Sequence, residues 1–287
     1  AHDGKGTDLM PFLSKNDRIY WTTQIEGKNP SRMDDLKDEL ILEFPKPQYA
    51  KKAKLVVNAC TTHWGSQVVK QYLDLYGSAI HGWYDSIKSM GPAYYQFLNM
   101  SLKDELYGLN IRVQTERGMV PRGLIRSSGP RISKDIVFPL DLTDVSGDVL
   151  KIKLTPPANF WMINYLAVDY SDDSPISVKE MKPTSAVNNS NEDIQKILAF
   201  DDDNYLMIPN VGDYAELVFE APPYAQGMHR SLILKVQGYY DVHLDAKGEP
   251  QLAMIERLQK EPGFALQYAF KEYLMWRGEL MKKYFSR

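Results

Sequence analysis

The run Glu39–Asn58, ELILEFPKPQYAKKAKLVVN, decides the fold. Two apolar segments flank Pro45-Lys46-Pro47. Proline lacks the backbone N–H that a ladder needs, so it ends strands and is confined to edges and turns. The run therefore reads as two strands joined by a proline-stiffened turn. Residues Glu216–Val236, ELVFEAPPYAQGMHRSLILKV, follow the same plan, with a proline pair and a Tyr-Ala between two apolar runs. Two such hairpins predict a β-sandwich scaffold. The segments that follow them differ, so the likeness is read as two proline-broken edges solving one problem. A duplicated half-domain is the alternative, which superposing the two hairpins would decide.

Working outward, Arg18–Ile25 alternates as a first strand. His63–Gly77 carries Val68, Val69, Tyr72, Leu73 and Tyr76 at spacings of three and four, the signature of an amphipathic helix, with Gly77 as its C-cap. Pro92–Leu106 is a second helix, stopped at Gly108. Residues 63–108 thus form a helical insertion between strands. Asn110–Thr115, Asp135–Leu142, Asp148–Leu154 and Ile176–Met181 read as strands, and Phe160–Tyr170 as a central one. Gly118–Ser133 reads as a loop, and Ser146-Gly147 as a turn. Pro183–Asp193 is a linker or exposed loop. Tyr205–Ile208 and the second hairpin add strands, and the run continues through Gly238–Leu244. The tail is helical, Pro250–Lys260 and then Phe264–Phe285, broken at Pro262-Gly263. The expected fold is mainly β with helices: a jelly-roll-like β-sandwich with a helical insertion and a C-terminal helix. Residues 1–182 form the sandwich, and 183–287 an additional hairpin layer and the helix packed on it.

The strand-turn-strand FPLDLTDVSGDVLKIKL at Phe138–Leu154, followed by the apolar strand FWMINYLAVDY at Phe160–Tyr170, resembles the jelly-roll of galactose-binding-like domains. The blocks Phe160–Tyr170 and Gly238–Leu244 also look like those of bacterial envelope proteins. The resemblance covers a little over half the chain and is one of strand order. It implies a binding module for sugars, lipid head groups or proteins, or a brace for a catalytic neighbour. It carries over no binding residue.

With 44% apolar and 25% charged residues, the chain has an ordinary globular composition, and its 287 residues suffice for a real core. A net charge of −3 gives no electrostatic reason to expect nucleic acid or an anionic membrane. No apolar run approaches the roughly 18 residues of a membrane span. A single cysteine, Cys60, excludes an intramolecular disulfide and reads as a small buried residue. The chain opens AHDGKGTD without an initiator Met, as expected of a trimmed or mature fragment of a larger secreted bacterial protein.

No nucleophile elbow, HExxH, P-loop or dinucleotide fingerprint is present. The five histidines never fall in metal-ligand spacing with one another. Asp241 and His243 share a strand face, but no nucleophile stands near them in sequence. Asp201 and Asp203 of the Asp201-Asp202-Asp203-Asn204 loop are candidate ligands for a structural Ca²⁺, which takes roughly six to eight oxygens. A solvated acidic loop or helix cap is the favoured reading, since the loop lacks the alternating spacing and bidentate Glu of an EF-hand. Sugars stack a C–H face on aromatic rings, which makes Trp21, Trp64, Trp83, Tyr239 and Tyr240 candidate ligand contacts. Trp161 belongs to the core. Arg122 and Arg126, with Arg117 and Arg131, are candidates for an anionic group.

The expectation is a non-catalytic binding module for carbohydrate or another envelope component, secreted, periplasmic or at the cell surface. A structural or protein-interaction domain is one alternative, with the C-terminal helix as the docking surface. A carbohydrate-active hydrolase with dispersed carboxylates is the other.

Overall fold

The structure is a computed structural model. It describes the chain except residues 23, 24, 26, 89, 104, 105, 127, 128, 131, 224–226, 228–230, 239–246, 286 and 287. In chain order the elements are β1 (His2–Asp3), α1 (Met10–Leu13), β2 (Leu40–Pro45), β3 (Lys52–Thr61), α2 (His63–Asp74), α3 (Ile80–Lys88) and α4 (Pro92–Lys103). There follow β4 (Leu109–Thr115), β5 (Gly118–Ile125), β6 (Lys134–Asp141), β7 (Val149–Thr155) and β8 (Trp161–Asp169). The remainder are β9 (Ser185–Asn188), β10 (Ala215–Val218), α5 (Leu252–Lys260) and α6 (Phe264–Phe285). The chain divides into two units, Ala1–Asp172 with Leu244–Arg287, and Asp173–His243.

In the first unit the opening run is not a hairpin. β2 joins a five-stranded antiparallel sheet of order β1-β2-β7-β4-β5, whereas β3 is the centre of a three-stranded antiparallel sheet, β6-β3-β8. Their partners behave in parallel fashion: β6 and β7 also lie in different sheets. Leu40 faces Leu154 and the ladder runs to Pro45 facing Val149, then resumes with Lys52 facing Asp141 and runs to Ala59 facing Lys134. One long antiparallel ribbon is thus bent in the middle, and each half seeds one sheet. Pro45 and Pro47 cause the bend by removing two ladder donors where the strand would otherwise continue.

Alternation then places the core. Leu40 and Leu42 of β2, Ala53, Leu55, Val57 and Ala59 of β3, Ile111 and Val113 of β4, and Leu150, Ile152 and Leu154 of β7 are buried in one continuous cluster. Each such large aliphatic side chain contributes roughly 1.5–3 kcal/mol by leaving water. The opposite face of β2 and β7 is charged: Lys151 pairs with Glu43 at 2.9 Å, and Lys153 with Glu39.

Two strand expectations change here. Gly118–Ser133 was expected as a loop, yet Gly118–Ile125 forms β5, paired with β4. As an edge strand it tolerates Pro121, which has no backbone donor to offer a further neighbour. Gly123, at φ 149°, is required, because a Cβ there would lie 2.5 Å from Phe138 Cζ. Phe160–Tyr170 was expected as a central strand, but β8 is at the edge of its sheet, where, among the described residues, Trp21 alone bridges its outer side. Trp21 N donates to Ile163 O at 2.7 Å and Ile163 N to Trp21 O at 2.9 Å. The expected strand Arg18–Ile25 shrinks to this bridge among the described residues. Asn164, bulged out of the β3–β8 register and fully buried, captures the segment. Its Oδ1 accepts from Arg18 N at 2.8 Å, and its Nδ2 donates to Asn16 Oδ1 at 2.6 Å and to Asn58 Oδ1 at 2.9 Å.

The helical insertion is present, with α3 as an additional helix within it, but α2 ends at Asp74 with Leu75 as its C-cap, and Gly77 opens a short 3-10 turn instead. Thr62 caps α2, its side chain accepting from Trp64 N at 3.3 Å. α6 has the expected bounds and lays Leu266, Ala269, Phe270 and Tyr273 into the core shared by the sheets. A second cluster joins Tyr72, Leu73, Tyr76 and Ile80 to Ile255 and Leu258 of α5. No described helix is long and apolar enough to cross a membrane.

The second unit holds a two-stranded sheet of β9 and β10. Its buried apolar residues are Ala186 and Ile194 among those described. Pro183–Asp193, expected as a linker, supplies β9. The described residues of Ile176–Met181, Tyr205–Ile208 and Ser231–Val236 are not strands, and Ile176, Val178, Ile233 and Val236 are 75–92% exposed. The second hairpin is therefore one short strand, β10, followed by irregular chain where it is described. A strand-like sequence makes no strand without a paired neighbour.

Substituting Gly123→Ala is expected to destabilise the protein by about 1–3 kcal/mol, through left-handed strain and the clash with Phe138; urea unfolding measures it. Burial raises the pKa of the phenols of Tyr72, Tyr76 and Tyr107, and that of Tyr268 to about 12. Unfolded tyrosine ionises near pH ~10, so above that pH the folded state holds more protons than the unfolded one. Stability from these groups is complete below pH ~10 and is lost as pH rises beyond it. Absorbance at 295 nm should show these tyrosines ionising together with loss of the circular-dichroism signal, after the exposed ones.

Candidate functional site

The bend in the ribbon builds a groove. Lys46 N donates to Asp148 O at 2.7 Å, holding the two crossing segments together just past the β2–β7 ladder. On one segment, Ala50 N donates to Pro47 O at 3.0 Å, closing a β-turn with Gln48 and Tyr49 at its tip. On the other, Leu142 N donates to Lys51 O at 2.9 Å and Val145 N to Leu142 O at 3.0 Å. Gly147, at φ 81°, lets this segment turn back into β7. Between them lies a groove of about 390 Å³ lined by Lys46, Gln48, Val145, Ser146, Gly147 and Asp148. That is within the usual size range of small-molecule sites.

Lys46 is 6% exposed, although it lines the groove. Its Nζ donates to Gly147 O at 3.1 Å. An ammonium has three donors, and among the described residues Gly147 O is the acceptor found for it. Gln48, Ser146 and Asp148 are exposed, and Val145 is buried. Tyr49, next in the chain to Gln48, is 80% exposed. The lining combines donors, acceptors and one carboxylate. General acid–base cleavage of a glycoside uses two carboxyls about 5–10 Å apart, and this lining supplies one. Another cavity, among Val68, Gln71, Tyr72, Leu258 and Tyr268, measures about 10 Å³ and has room for a single water.

None of the described sequence-derived candidates is among the residues lining this groove. Trp64 is fully buried, T-shaped against Phe160 and Phe270 at 5.4 Å and stacked on Tyr273 at 5.3 Å, with no ring face open. Trp21 is buried beneath its bridge to β8. Trp83 is half-buried, its ring 4.7 Å from that of Tyr76 and 5.3 Å from that of Tyr84. Each was drawn into an aromatic core because a large ring gains more from burial than from display. Tyr239, Tyr240, Asp241 and His243 lie outside the described residues, as does Arg131. Arg122 is occupied: its Nε donates to Asp141 O at 2.9 Å and its guanidinium pairs with Asp144, which also takes Arg117 at 3.2 Å. Arg126 is exposed just after β5. Asp201 accepts from Gln237 Nε2 at 2.7 Å, and Asp203 is exposed. Among the described residues no group of three or more His, Cys, Asp or Glu side chains is placed to hold a metal ion.

Sequence reasoning passed over Lys46, Gln48, Tyr49, Ser146 and Asp148. A lysine between two prolines and the turn at Ser146-Gly147 were visible. That these two turns meet was not. No family model matches the chain, and no curated protein matches it.

Removing the shared carboxylate by Asp144→Ala leaves a guanidinium only 12% exposed without its partner and is expected to cost about 1–3 kcal/mol in urea unfolding. Arg117→Ala, at a side chain 77% exposed, should leave the unfolding curve unchanged.

Proposed function

We propose that the protein is a non-catalytic binding module whose corner groove takes a hydroxyl-rich ligand, a carbohydrate of the cell envelope. The observation that carries this reading is the groove itself: a largely buried lysine, an amide, a hydroxyl and a carboxylate line one concavity beside an exposed tyrosine. Vicinal hydroxyls donate to a carboxylate and accept from an ammonium at once, and a pyranose C–H face stacks on an exposed ring such as Tyr49. The bent ribbon, dividing its halves between two sheets that share a core, supports a jelly-roll-like β-sandwich and the likeness to galactose-binding-like domains. A secreted, periplasmic or cell-surface location accords with such a ligand.

A second reading, a protein-interaction role, draws on the second unit, where Leu232, Ile233 and Leu234 are 67–92% exposed. Contiguous apolar exposure marks docking sites. Serine at Ile233 and Leu234 would abolish docking and leave glycan binding intact.

A glycan array with the wild type and Tyr49→Ala tests the first reading. Binding that falls roughly tenfold or more in the variant, as expected for loss of a stacking platform, supports it. A silent array, or binding indifferent to Tyr49, overturns it. Trp64→Ala, by contrast, is expected to cost about 3–5 kcal/mol of folding stability, because it empties the centre of the aromatic core; thermal unfolding separates that loss from any effect on ligand.

A further inference from the structure

Several basic side chains on or next to the bent ribbon have carboxylate partners. Lys151 pairs with Glu43 of β2 and Lys153 with Glu39 just before it, Lys54 lies 3.6 Å from Asp169, and Arg122 is held by Asp144. Lys46 is more buried than these cations. Among the described residues it has no carboxylate within 4.0 Å, only the carbonyl of Gly147. A charge withdrawn from water is costly unless it is compensated by an opposite charge and hydrogen bonds. An uncompensated lysine lining a groove is therefore arranged to receive its counter-charge from outside the chain.

Resting on the carbohydrate reading above, we infer that the groove selects an acidic saccharide, with a uronic-acid carboxylate seated on Lys46 Nζ. One carboxylate uses the ammonium hydrogens that Gly147 O does not. Lysine acts as a compact point charge and needs no bidentate partner. Asp148, in the same lining, accepts from ring hydroxyls beside the carboxylate. Its own negative charge disfavours a more highly charged phosphate or a run of sulfates, which sets the preference for a single carboxylate per site. Ser146 and Gln48 contact the remaining hydroxyls.

Calorimetry with trigalacturonate and its neutral counterpart, α-1,4-galactotriose, tests this, with a sulfated galactose oligosaccharide as a third probe. The wild type is expected to bind the uronate roughly tenfold more tightly than the neutral sugar. Lys46→Met should erase that preference and Lys46→Arg should retain it. The preference should also weaken between about 0.05 M and about 0.5 M salt. Equal binding of acid and neutral trimers by the wild type overturns the inference and leaves the carbohydrate reading standing, whatever the variants do. Tighter binding of the sulfated probe overturns the choice of carboxylate. An undiminished preference in Lys46→Met removes the lysine from its role. If all three probes and the glycan array are silent, the carbohydrate reading fails and this inference with it.

Discussion

A single antiparallel pairing, residues 40–59 against 134–154, governs the structure of the first unit. Because the ribbon bends, its two halves lie in different sheets, and every other described strand of that unit joins one of those two sheets. β1 and β4 add beside β2 and β7, and β5 beside β4; β8 adds beside β3. The inward residues of both halves then fall into one core, which α6 closes. A bend of this kind needs a place where ladder hydrogen bonding lapses without leaving buried donors unsatisfied. Pro45 and Pro47 meet that need, since neither has a donor to lose.

The bend has a chemical consequence. Where the ladder lapses, backbone and side-chain polar groups turn toward one another across the corner, and the concavity between them cannot be filled by the next strand residue. The groove at Lys46 and Asp148 is the result. Function sits readily at such corners, because a rigid scaffold on either side positions side chains that the scaffold itself does not use.

The aromatic residues followed the opposite course. Trp64 sits at the junction of α2, the Phe160 segment and α6, where the rings of Phe160, Phe270 and Tyr273 lie within 5.4 Å of its own. Burial favours the neutral phenols of Tyr72, Tyr76 and Tyr107. Composition made these rings attractive as sugar platforms. In fact the helices need them as core, since a helical layer laid over a sheet must fill a wide gap with large side chains.

By itself the sequence determined the local elements with short-range causes. The two proline-broken strands, the Thr62-capped α2, the helix from Pro92, and α6 with its glycine and proline boundary all rest on periodicity and on residues a few positions apart. It also determined the alternation that separates a buried face from a charged one on β2, β3 and β7. Where a strand's existence depends on a distant partner, the sequence misled: it hid β5 behind Pro121 and Gly123 and promised strands at Ile176–Met181 that nothing pairs. Only the tertiary structure decided that the opening run crosses between sheets, that Phe160–Tyr170 lies at an edge, and that Lys46 meets Ser146 and Asp148. Propensity acts over a handful of residues, whereas pairing and burial depend on which chain segments arrive from roughly a hundred positions away. The groove belongs wholly to that second kind of information.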